Sequence, residues 1–457
     1  MDRREFLWKS GGGLGGVAHA WLLSEEARGA QAPPARAKRV VQLFMSGAAS
    51  QCDTFDYKPE LIRRHGEKFD PGGDKFEPFQ SAPGACFKSP WDWKPRGACG
   101  KWMSDLVPRL GACADDMTFV HSVVAKSNVH GPATFMQNTG FILPGFPGMG
   151  AWLSYGLGRM SRELPAFVVL PDSRGFGPNG PGNWSAGFLP AVHQGTMIRP
   201  GAENPIHDLR PPAGRAVSPE GLDLLDRLNR GHLAGREGDT QLEARISSYE
   251  MAARLQLSAP EVLDLSTETE ETKRLYGLHQ TVTADFGRNC LIARRLLERG
   301  VRFVQVWSGA DNGFPRRNWD SHEDIKKDHG EMGASMDGPA AALIQDLKRR
   351  GMLEETIVHW TTEFGRLPCS QGNGGRDHNP YGFTSWFAGG GFRGGTSFGE
   401  TDEWSFRAVK DPVYCYDLHA TMLHLLGIDH ERLTFRHNGI DRRLTDVHGH
   451  VIKALLA

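Results

Sequence analysis

The sequence predicts an α/β protein in which helices sandwich a mainly parallel β-sheet. Two successive units, at residues 284–307 and 332–360, each consist of an amphipathic stretch followed by a short apolar run. In the first unit Phe286, Cys290 and Ala293 recur at the spacing of one helix face, and the run that follows has the length of a buried strand. Alternation of helix and strand favours a parallel sheet covered by helices on both faces.

The same criteria predict the remaining elements. Short apolar runs predict strands at residues 39–45, 118–123, 167–170 and 384–388, and helical spacing predicts helices at 131–140, 240–258 and 417–426. Two segments rich in Gly and Pro, at residues 53–117 and 171–240, are predicted to be loop-rich insertions into a single domain that spans residues 38–457.

The first residues have the pattern of a twin-arginine export signal. Arg3 and Arg4 precede a weakly apolar, Gly-rich stretch at 11–23, and an Ala-Gln-Ala sequence at 30–32 offers a cleavage site. This stretch is shorter than the about 20 residues that cross a bilayer as a helix, so we expect no stable membrane span after cleavage. The sequence therefore predicts a signal peptide over residues 1–32, recognition by the twin-arginine export machinery, and a periplasmic or secreted mature protein.

Composition and the cysteine pattern exclude several classes of protein. Lys and Arg (53) balance Asp and Glu (54), and the resulting net charge of -1 argues against a nucleic-acid binder. The seven cysteines include no C-x-x-C pair, and the Gly-rich run at 11–16 follows no strand, which argues against zinc-ribbon, haem and dinucleotide sites. Four cysteines lie between residues 52 and 113, where we expect either one or two local disulfides or buried free thiols.

Acidic and imidazole side chains follow several of the predicted strands. The carboxyl ends of the strands form the ligand-binding edge of an open α/β sheet, so groups that are distant in sequence can meet there. Oxygen donors together with histidine nitrogen favour Zn²⁺ or Mn²⁺ over Ca²⁺ or Mg²⁺, and two such ions about 4 Å apart could clamp a phosphoryl or sulfuryl group. The residues at these strand ends are Asp53, Asp320, His322, Glu363 and His378.

Each of these residues also has a simpler interpretation. Asp320 and His322 suit a surface turn. Glu363 could form a structural ion pair with Arg366, because a buried carboxylate needs a partner. The recurrence of such residues at successive strand ends is what favours a site.

Seven sets of motifs, distributed over nearly the whole mature chain, resemble a known family. They are Phe-Met-Ser-Gly at 44–47 with Asp-Thr-Phe-Asp at 53–56, Asn-Val-His-Gly-Pro-Ala at 128–133, Trp-Asp-Ser-His at 319–322, Thr-Glu-Phe-Gly-Arg at 362–366, Gly-Arg-Asp-His-Asn-Pro at 375–380, Ala-Gly-Gly-Gly at 388–391 and Asp-Leu-His-Ala-Thr at 417–421. With them the chain resembles an exported bacterial family known as domain of unknown function 1501. It resembles the alkaline phosphatase and sulfatase superfamily more distantly.

The resemblance implies an alkaline-phosphatase-like α/β fold with a metal site at the carboxyl edge of its sheet. Glu363 would stand where the superfamily has an aspartate. Arg366 and Arg376, which belong to the same motifs, are predicted to bind the substrate. The metal ligands that the resemblance implies are Asp53 (or Asp56), Asp320, His322, Glu363 and His378.

The position of the nucleophile departs from the superfamily. Sulfatases mature a Cys or Ser within C/S-x-P-x-R to an aldehyde, and this chain has no such motif, so a formylglycine sulfatase is not expected. Counting back from Thr139-Gly140 places His130 at the nucleophile position. His130 is therefore the predicted catalytic residue, as a nucleophile, a general acid or base, or a third metal ligand, and a histidine satisfied at a helix end is the simpler alternative. The hydroxyls of Ser46, Ser127 and Thr134 are fallback nucleophiles, and a metal-activated water is a further candidate.

Two functions follow from these patterns. The first is an exported, metal-dependent hydrolase of phosphate or sulfate esters, whose substrate is a small molecule or a polysaccharide. The second is a catalytically inactive sulfatase-like protein that binds or assembles at the cell surface. The second interpretation rests on the missing nucleophile motif and on tryptophans within the two insertions that could stack on sugars, namely Trp91, Trp93, Trp102 and Trp184.

Overall fold

The computed structural model describes residues 33–72, 80, 82–203, 205–206, 219–234, 236, 242, 246, 260–310, 316–372 and 374–457. The predicted signal peptide lies outside the described residues, and so does the predicted helix at 240–258 apart from residues 242 and 246.

Strands and helices alternate along much of the chain. The strands are β1 (Arg39–Met45), β2 (Trp93–Arg96), β3 (Lys101–Ser104), β4 (Met117–Val124), β5 (Phe167–Leu170), β6 (Thr196–Met197), β7 (Phe303–Ser308), β8 (Thr356–Thr361), β9 (Gly365–Arg366), β10 (His378–Asn379), β11 (Phe383–Ala388), β12 (Thr396–Phe398), β13 (Glu400–Thr401), β14 (Ala408–Lys410), β15 (Val413–Tyr414), β16 (Phe435–His437) and β17 (Ile440–Arg442). The α-helices are α1 (Gln51–Thr54), α2 (Pro59–Arg63), α3 (His130–Thr139), α4 (Met149–Leu157), α5 (Pro219–Leu233), α6 (Glu270–Leu275), α7 (Ala284–Glu298), α8 (Ile325–Arg349) and α9 (Cys415–Leu425).

The main sheet confirms the predicted fold class. Its strand order is β12-β4-β11-β8-β1-β7-β5-β6, with β15 also paired to β4. Strand β1 lies at the centre between β8 and β7 and is parallel to both. Only β11 runs antiparallel, to β4 and to β8. The segment between β8 and β11 contains no crossover helix in its described residues, so β11 starts at the edge where β8 ends and returns in the opposite direction.

Apolar side chains cover both faces of this sheet. Along β1, Val41 and Leu43 join the core beneath α7 and α8, whereas Val40 and Phe44 join the core beneath α4 and α9. A parallel strand that is buried on both faces reads as a continuous apolar run, which is why residues 39–45 are recognisable from sequence. Burying each such side chain contributes about 1.5–3 kcal/mol.

A buried row of polar side chains interrupts one of these faces and ties α3 to the sheet. Gln305 on β7 donates to Gln42 on β1 and to Asn138 on α3, both at 2.6 Å. Gln42 lies 3.4 Å from His359 on β8, whose other ring nitrogen lies 3.1 Å from Ser385 on β11. Because these bonds are satisfied inside the protein, they fix the position of α3, the helix that begins with His130.

The two predicted insertions contain more regular structure than their composition indicates. The first contains α1, α2 and the β2–β3 hairpin, and the second contributes β6 to the main sheet. Strong Gly and Pro content marks turns but does not exclude short strands between them. The polar segment that follows β7 is also shorter than expected, because α8 begins at Ile325 with Asp324 as its N-cap.

All seven cysteines are free thiols, and only Cys99 is exposed. The alternative of buried thiols therefore holds for the other six in this structure. Within the described ranges, no helix combines the length and the apolar character needed to cross a bilayer.

Candidate metal centre

Four polypeptide segments meet where β1 and β8 end. Glu363 follows β8, and His130 is the first residue of α3. Asp320 and His322 lie in the segment between β7 and α8, and His378 lies on β10. The backbone N–H of Gly47, just after β1, donates to Glu363 Oε1 at 2.8 Å. The predicted strand-end residues thus converge at one edge of the sheet, with the exception of Asp53.

Four ligand atoms of this cluster lie within a few ångströms of one another. Asp320 Oδ1 lies 2.9 Å from His322 Nε2, 3.4 Å from His130 Nε2 and 3.5 Å from His378 Nε2. The Nε2 atoms of His322 and His378 are 3.0 Å apart. Tetrahedral Zn²⁺ with bonds near 2.0–2.1 Å would separate its ligand atoms by about 3.3 Å. The separations above are those expected between neighbouring ligands of one ion, and the ligand atoms of His130, Asp320 and His378 all lie within 4.8 Å of one another.

Hydrogen bonds at the opposite ring nitrogens orient the three imidazoles. His130 Nδ1 lies 2.7 Å from Glu363 Oε1, and His378 Nδ1 lies 2.7 Å from the carbonyl oxygen of Asn128. His322 Nδ1 contacts Gln371 Oε1 at 2.5 Å. A carboxylate or carbonyl oxygen only accepts, so each Nδ1 carries the proton, and in the neutral ring Nε2 presents its lone pair to the cluster.

The donor set fits a divalent metal ion. The Nε2 atom of His130 is buried and has no hydrogen-bond partner among the described residues. Metal-bound histidine characteristically donates its other ring N–H to a carboxylate or a carbonyl oxygen, which is the arrangement of all three histidines here. His130, His322, His378 and Asp320 would hold the ion, and three imidazoles with one carboxylate suit Zn²⁺ better than Ca²⁺ or Mg²⁺.

A second group of potential ligands overlaps the first. It consists of His322, Asp377 and His378, whose ligand atoms also lie within 4.8 Å of one another. His322 Nδ1 lies 3.9 Å from Asp377 Oδ1. A neutral imidazole has only one ring nitrogen with a free lone pair, so it can bind one ion. His322 and His378 could bind an ion in each group only if each ring also lost its remaining N–H proton. The geometry therefore favours one ion rather than the two that the sequence predicts.

Two arginines neutralise Asp320. Its Oδ1 accepts from Arg366 Nη2 at 2.6 Å and its Oδ2 from Arg316 Nη1 at 2.7 Å. Burial raises the pKa of Asp320, but Arg366 and the three histidines outweigh burial and hold this pKa well below its usual range. Asp320 is therefore a carboxylate at any physiological pH, as a metal ligand must be.

The protonation of the histidines reflects the same contacts. Burial lowers the pKa of His130, but the neighbouring carboxylates of Asp320 and Glu363 more than offset it and raise the pKa. Burial lowers the pKa of His378 well below its usual value, so this ring is neutral and available as a ligand.

The contacts of His130 and Glu363 favour roles for these two residues that differ from those predicted from the sequence. Glu363 is fully buried, and its Oε1 is occupied by the N–H of Gly47 and by His130. Glu363 Oε1 therefore orients the His130 ring through Nδ1, the nitrogen opposite the proposed ligand atom, and this oxygen is not itself available to a metal ion. His130, predicted as the catalytic residue, directs Nε2 at the other ligand atoms. Both predicted roles stay predictions, and the contacts favour His130 as a ligand and Glu363 as a positioning residue.

Asp53 and Arg376 pair with each other away from these histidines. Arg376 Nε and Nη2 donate to the two carboxylate oxygens of Asp53 at 2.8 and 3.1 Å, and Ser50 Oγ adds a third bond at 2.5 Å. Both charged side chains are fully buried. The alternative ligand, Asp56, accepts from Thr401 and Ser405. These contacts do not support either aspartate as a ligand or Arg376 as a group that contacts substrate.

Arg366 is likewise buried, and its hydrogen bonds are made to other groups of the protein. Its guanidinium donates to the carbonyl oxygens of Ala48, Gly47 and Arg376 as well as to Asp320, and it is fully buried. Its predicted role in substrate binding stays a prediction, and the contacts favour a role in positioning Asp320.

The family model described as "Protein of unknown function (DUF1501)" matches residues 37–456. The chain belongs to this family. No curated protein matches it.

Several solved structures are similar to the chain at low sequence identity. A lipoteichoic acid synthase from Listeria monocytogenes is 11% identical, with 91% of this chain and 76% of that chain covered and a TM-score of 0.40. A sulfatase from Pseudoalteromonas sp. is 13% identical, with 96% and 75% covered and a TM-score of 0.37. A phosphonate monoester hydrolase from Silicibacter pomeroyi is 11% identical, with 70% and 68% covered and a TM-score of 0.33.

Two residues of the centre in this family member were not predicted from sequence. Arg316 lies four residues before Asp320, and a basic residue so close to a predicted ligand was a usable signal. Gln371 lies in a turn near a run of glycines, and its contact with His322 had no signal in the sequence.

Gly47 leaves no room for a side chain beside the cluster. Its φ is +105°, and a Cβ would lie 2.5 Å from the backbone N of Asp320 and 2.7 Å from that of Trp319. We expect Gly47→Ala to lower the free energy of unfolding by about 3 kcal/mol or more, because the left-handed strain and the overlap with backbone add. Urea unfolding measures this, with Gly66→Ala as the matched control, since Gly66 has φ +87° and open space around it. Equal losses in the two variants would contradict the steric argument.

Proposed function

We propose that the protein is an exported, metal-dependent hydrolase of phosphate or sulfate esters. The observation that carries this proposal is the convergence of the Nε2 atoms of His130, His322 and His378 on Asp320 Oδ1, at 2.9–3.5 Å. Export is proposed from the twin-arginine pattern of residues 1–32. Export of an already folded chain would let the ion be loaded before the protein leaves the cytoplasm.

The charges of the site support an anionic substrate. Arg366 and Arg316 together face three carboxylates, those of Asp320, Glu363 and Glu323, and the pKa shift of His378 keeps its ring neutral. This leaves a single net negative charge, which is less than the charge of a divalent ion. A divalent ion therefore adds positive charge that these contacting side chains do not cancel. Bound there, the ion would polarise the ester oxygen and stabilise charge that develops in the transition state.

We propose that the side chains of the centre hold the ion and orient its ligands, and that none of them attacks the ester. Glu363 and the Asn128 carbonyl keep the His130 and His378 rings in place, and Arg366 holds Asp320 against them. His130 occupies the sequence position of the sulfatase nucleophile, but its Nε2 faces the other ligand atoms. With no C/S-x-P-x-R motif in the chain, we propose that water is the attacking nucleophile.

One observation favours a second candidate function. If all four side chains bind the same ion, they complete a tetrahedron, and such closed sites are typical of structural ions, whereas catalytic sites keep one position open. The second candidate is therefore a catalytically inactive protein of the cell surface in which the ion stabilises the fold.

An assay of hydrolysis separates the two candidates. We expect the mature chain, freed of metal and then reloaded with Zn²⁺ or Mn²⁺, to hydrolyse p-nitrophenyl phosphate or p-nitrophenyl sulfate. His378→Ala should lower kcat/KM at least about 100-fold, because transition-state charge loses its stabilisation. His279→Ala, which changes an exposed histidine, is the control and should leave kcat/KM unchanged. Metal-loaded protein that hydrolyses neither ester would refute the hydrolase and leave the structural role.

A further inference from the structure

Two adjoining cavities lie outside the metal centre. The first, of about 430 Å³, is lined by Tyr57, Lys101 and Trp102 among others. The second, of about 570 Å³, is lined by residues that include Lys126, Tyr414 and Tyr416. Phe398 and Asp411 line both. We refer to the two cavities together as the aromatic groove.

Each cavity contains one large aromatic side chain that is accessible. Trp102 is 41% exposed and stacks on Tyr57 with ring centroids 4.4 Å apart and an interplanar angle of 11°. In the second cavity Tyr414 is 37% exposed, next to Tyr416. Large exposed rings that are held by a neighbour offer flat apolar surface at little entropic cost, which is typical of binding sites.

Each cavity also contains a lysine whose charge no protein carboxylate balances. Lys101 Nζ contacts His121 Nε2 at 2.5 Å and Ser397 Oγ at 3.4 Å. Lys126 Nζ lies 3.3 Å from the hydroxyl of Tyr416 and 4.7 Å from the centre of its ring. Within the described part of the chain, neither ammonium has a carboxylate oxygen within 4.0 Å. Burial lowers the pKa of Lys101 to about 8, and the more distant charge of Asp56 offsets only part of this shift.

Most carboxylates that line the groove already have hydrogen-bond or ion-pair partners within the protein. Asp56 accepts from Thr401 and Ser405 and lies 3.3 Å from Lys58 Nζ. Glu400 pairs with Lys410 at 2.6 Å. Asp417 accepts the backbone N–H groups of Tyr414 and His450. Of the four carboxylates that line the groove, only that of Asp411 has no such partner among the residues that the structure describes. One carboxylate therefore remains against two lysines, which leaves the groove with an excess of positive charge.

We propose that the aromatic groove binds an anionic oligosaccharide, with sugar rings against Trp102 and Tyr414 and tetrahedral oxyanion substituents at Lys101 and Lys126. The apolar C–H face of a sugar ring matches an aromatic face, and a lysine ammonium is a point charge suited to a sulfate or phosphate group. Two cavities with the same pairing of ring and cation suit a chain of repeating units. This binding site is independent of the proposed hydrolysis and of the metal ion.

Isothermal titration calorimetry with size-defined dextran sulfate and dextran phosphate tests the proposal on the full mature chain. We expect one or both to bind, which identifies the oxyanion, and unmodified dextran of the same length not to bind measurably. Trp102→Ala and Lys101→Gln should each raise Kd at least about tenfold, because each removes one of the two contacts per unit. Lys94→Gln is the matched control on the same hairpin, since Lys94 is paired with Asp105 and does not line the groove.

Three results would overturn the proposal. These are unchanged affinity in both groove variants, inorganic sulfate binding as tightly as dextran sulfate, and oligothymidylate binding more tightly than either dextran derivative. The metal content of the variants is expected to match the parent, because the contacts of Lys101 and Trp102 lie with His121 and Tyr57 and not with the metal cluster. Failure of ester hydrolysis would leave these binding results unaffected, so the two proposals fail separately.

Discussion

Replacing His378 by alanine is expected to remove the bound metal ion while the chain stays folded. The parent, purified without a polyhistidine tag, should contain about one divalent ion per chain, and His378→Ala nearly none, because one of four converging ligands is lost. Mass spectrometry of the metal content measures this directly. His279→Ala, in which an exposed histidine is lost, should keep the parent's content.

Glu363→Gln provides a graded test of the same centre. Its carboxylate contacts His130 from behind, and changes to such supporting groups typically cost 10–100-fold in metal affinity. We therefore expect metal to be retained during gentle purification and lost to a competing chelator at about 10–100-fold lower concentration than in the parent. Loss as complete as in His378→Ala would instead restore Glu363 to the role of direct ligand that the sequence predicts.

Thermal unfolding supplies a readout that does not depend on activity. An ion that binds the folded chain stabilises it in proportion to the logarithm of its concentration over Kd. EDTA should therefore lower the Tm of the parent and of His279→Ala and leave the Tm of His378→Ala unchanged. A parent that contains no ion and whose Tm does not respond to EDTA or to added Zn²⁺ would refute the metal centre.

The sequence predicts that these side chains lie near one another because their location depends on topology. His130, Asp320, His322 and His378 all follow or adjoin strand ends, and a parallel sheet brings such ends to one edge. Their assignment required only the strand pattern and the family motifs. The individual roles could not be assigned in this way, because they depend on which side-chain atom faces inward. Glu363 and His130 are in contact, and only their hydrogen bond shows which of them supports the other.

Asp53 shows where this reasoning fails. It follows β1 as a first-strand ligand should, but Gly47 and Ala48 both have positive φ, of 105° and 68°, and turn the chain sharply after the strand. Asp53 then lies in the short helix α1, where its carboxylate faces Arg376. Neither the turn at Ala48, a residue that rarely adopts positive φ, nor the distant partner could be read from the sequence.

Asp53→Ala is expected to destabilise the protein strongly without removing the metal. It would leave the guanidinium of Arg376 fully buried with only the carbonyl oxygens of Leu367 and Phe87 as partners. Breaking a buried pair from one side costs about 3–5 kcal/mol, because the remaining charge loses its partner and cannot reach water. In the parent, burial lowers the pKa of Arg376, but Asp53 more than offsets this and raises the pKa. Without Asp53 the guanidinium still keeps its proton, because arginine is too basic to lose it inside a protein.

Urea unfolding of a double-mutant cycle tests this interpretation. Arg376→Met combined with Asp53→Ala removes both charges and should recover part of the loss, since the uncompensated cation is the main cost. Asp285→Ala is the control for an exposed pair, because Asp285 bonds Arg288 at the surface and its loss should cost less than about 1 kcal/mol. The milder Asp53→Asn variant should remain folded and keep its metal ion. If instead it folds as stably as the parent and lacks the ion, Asp53 is a ligand, and the pair with Arg376 would have to open when the ion binds.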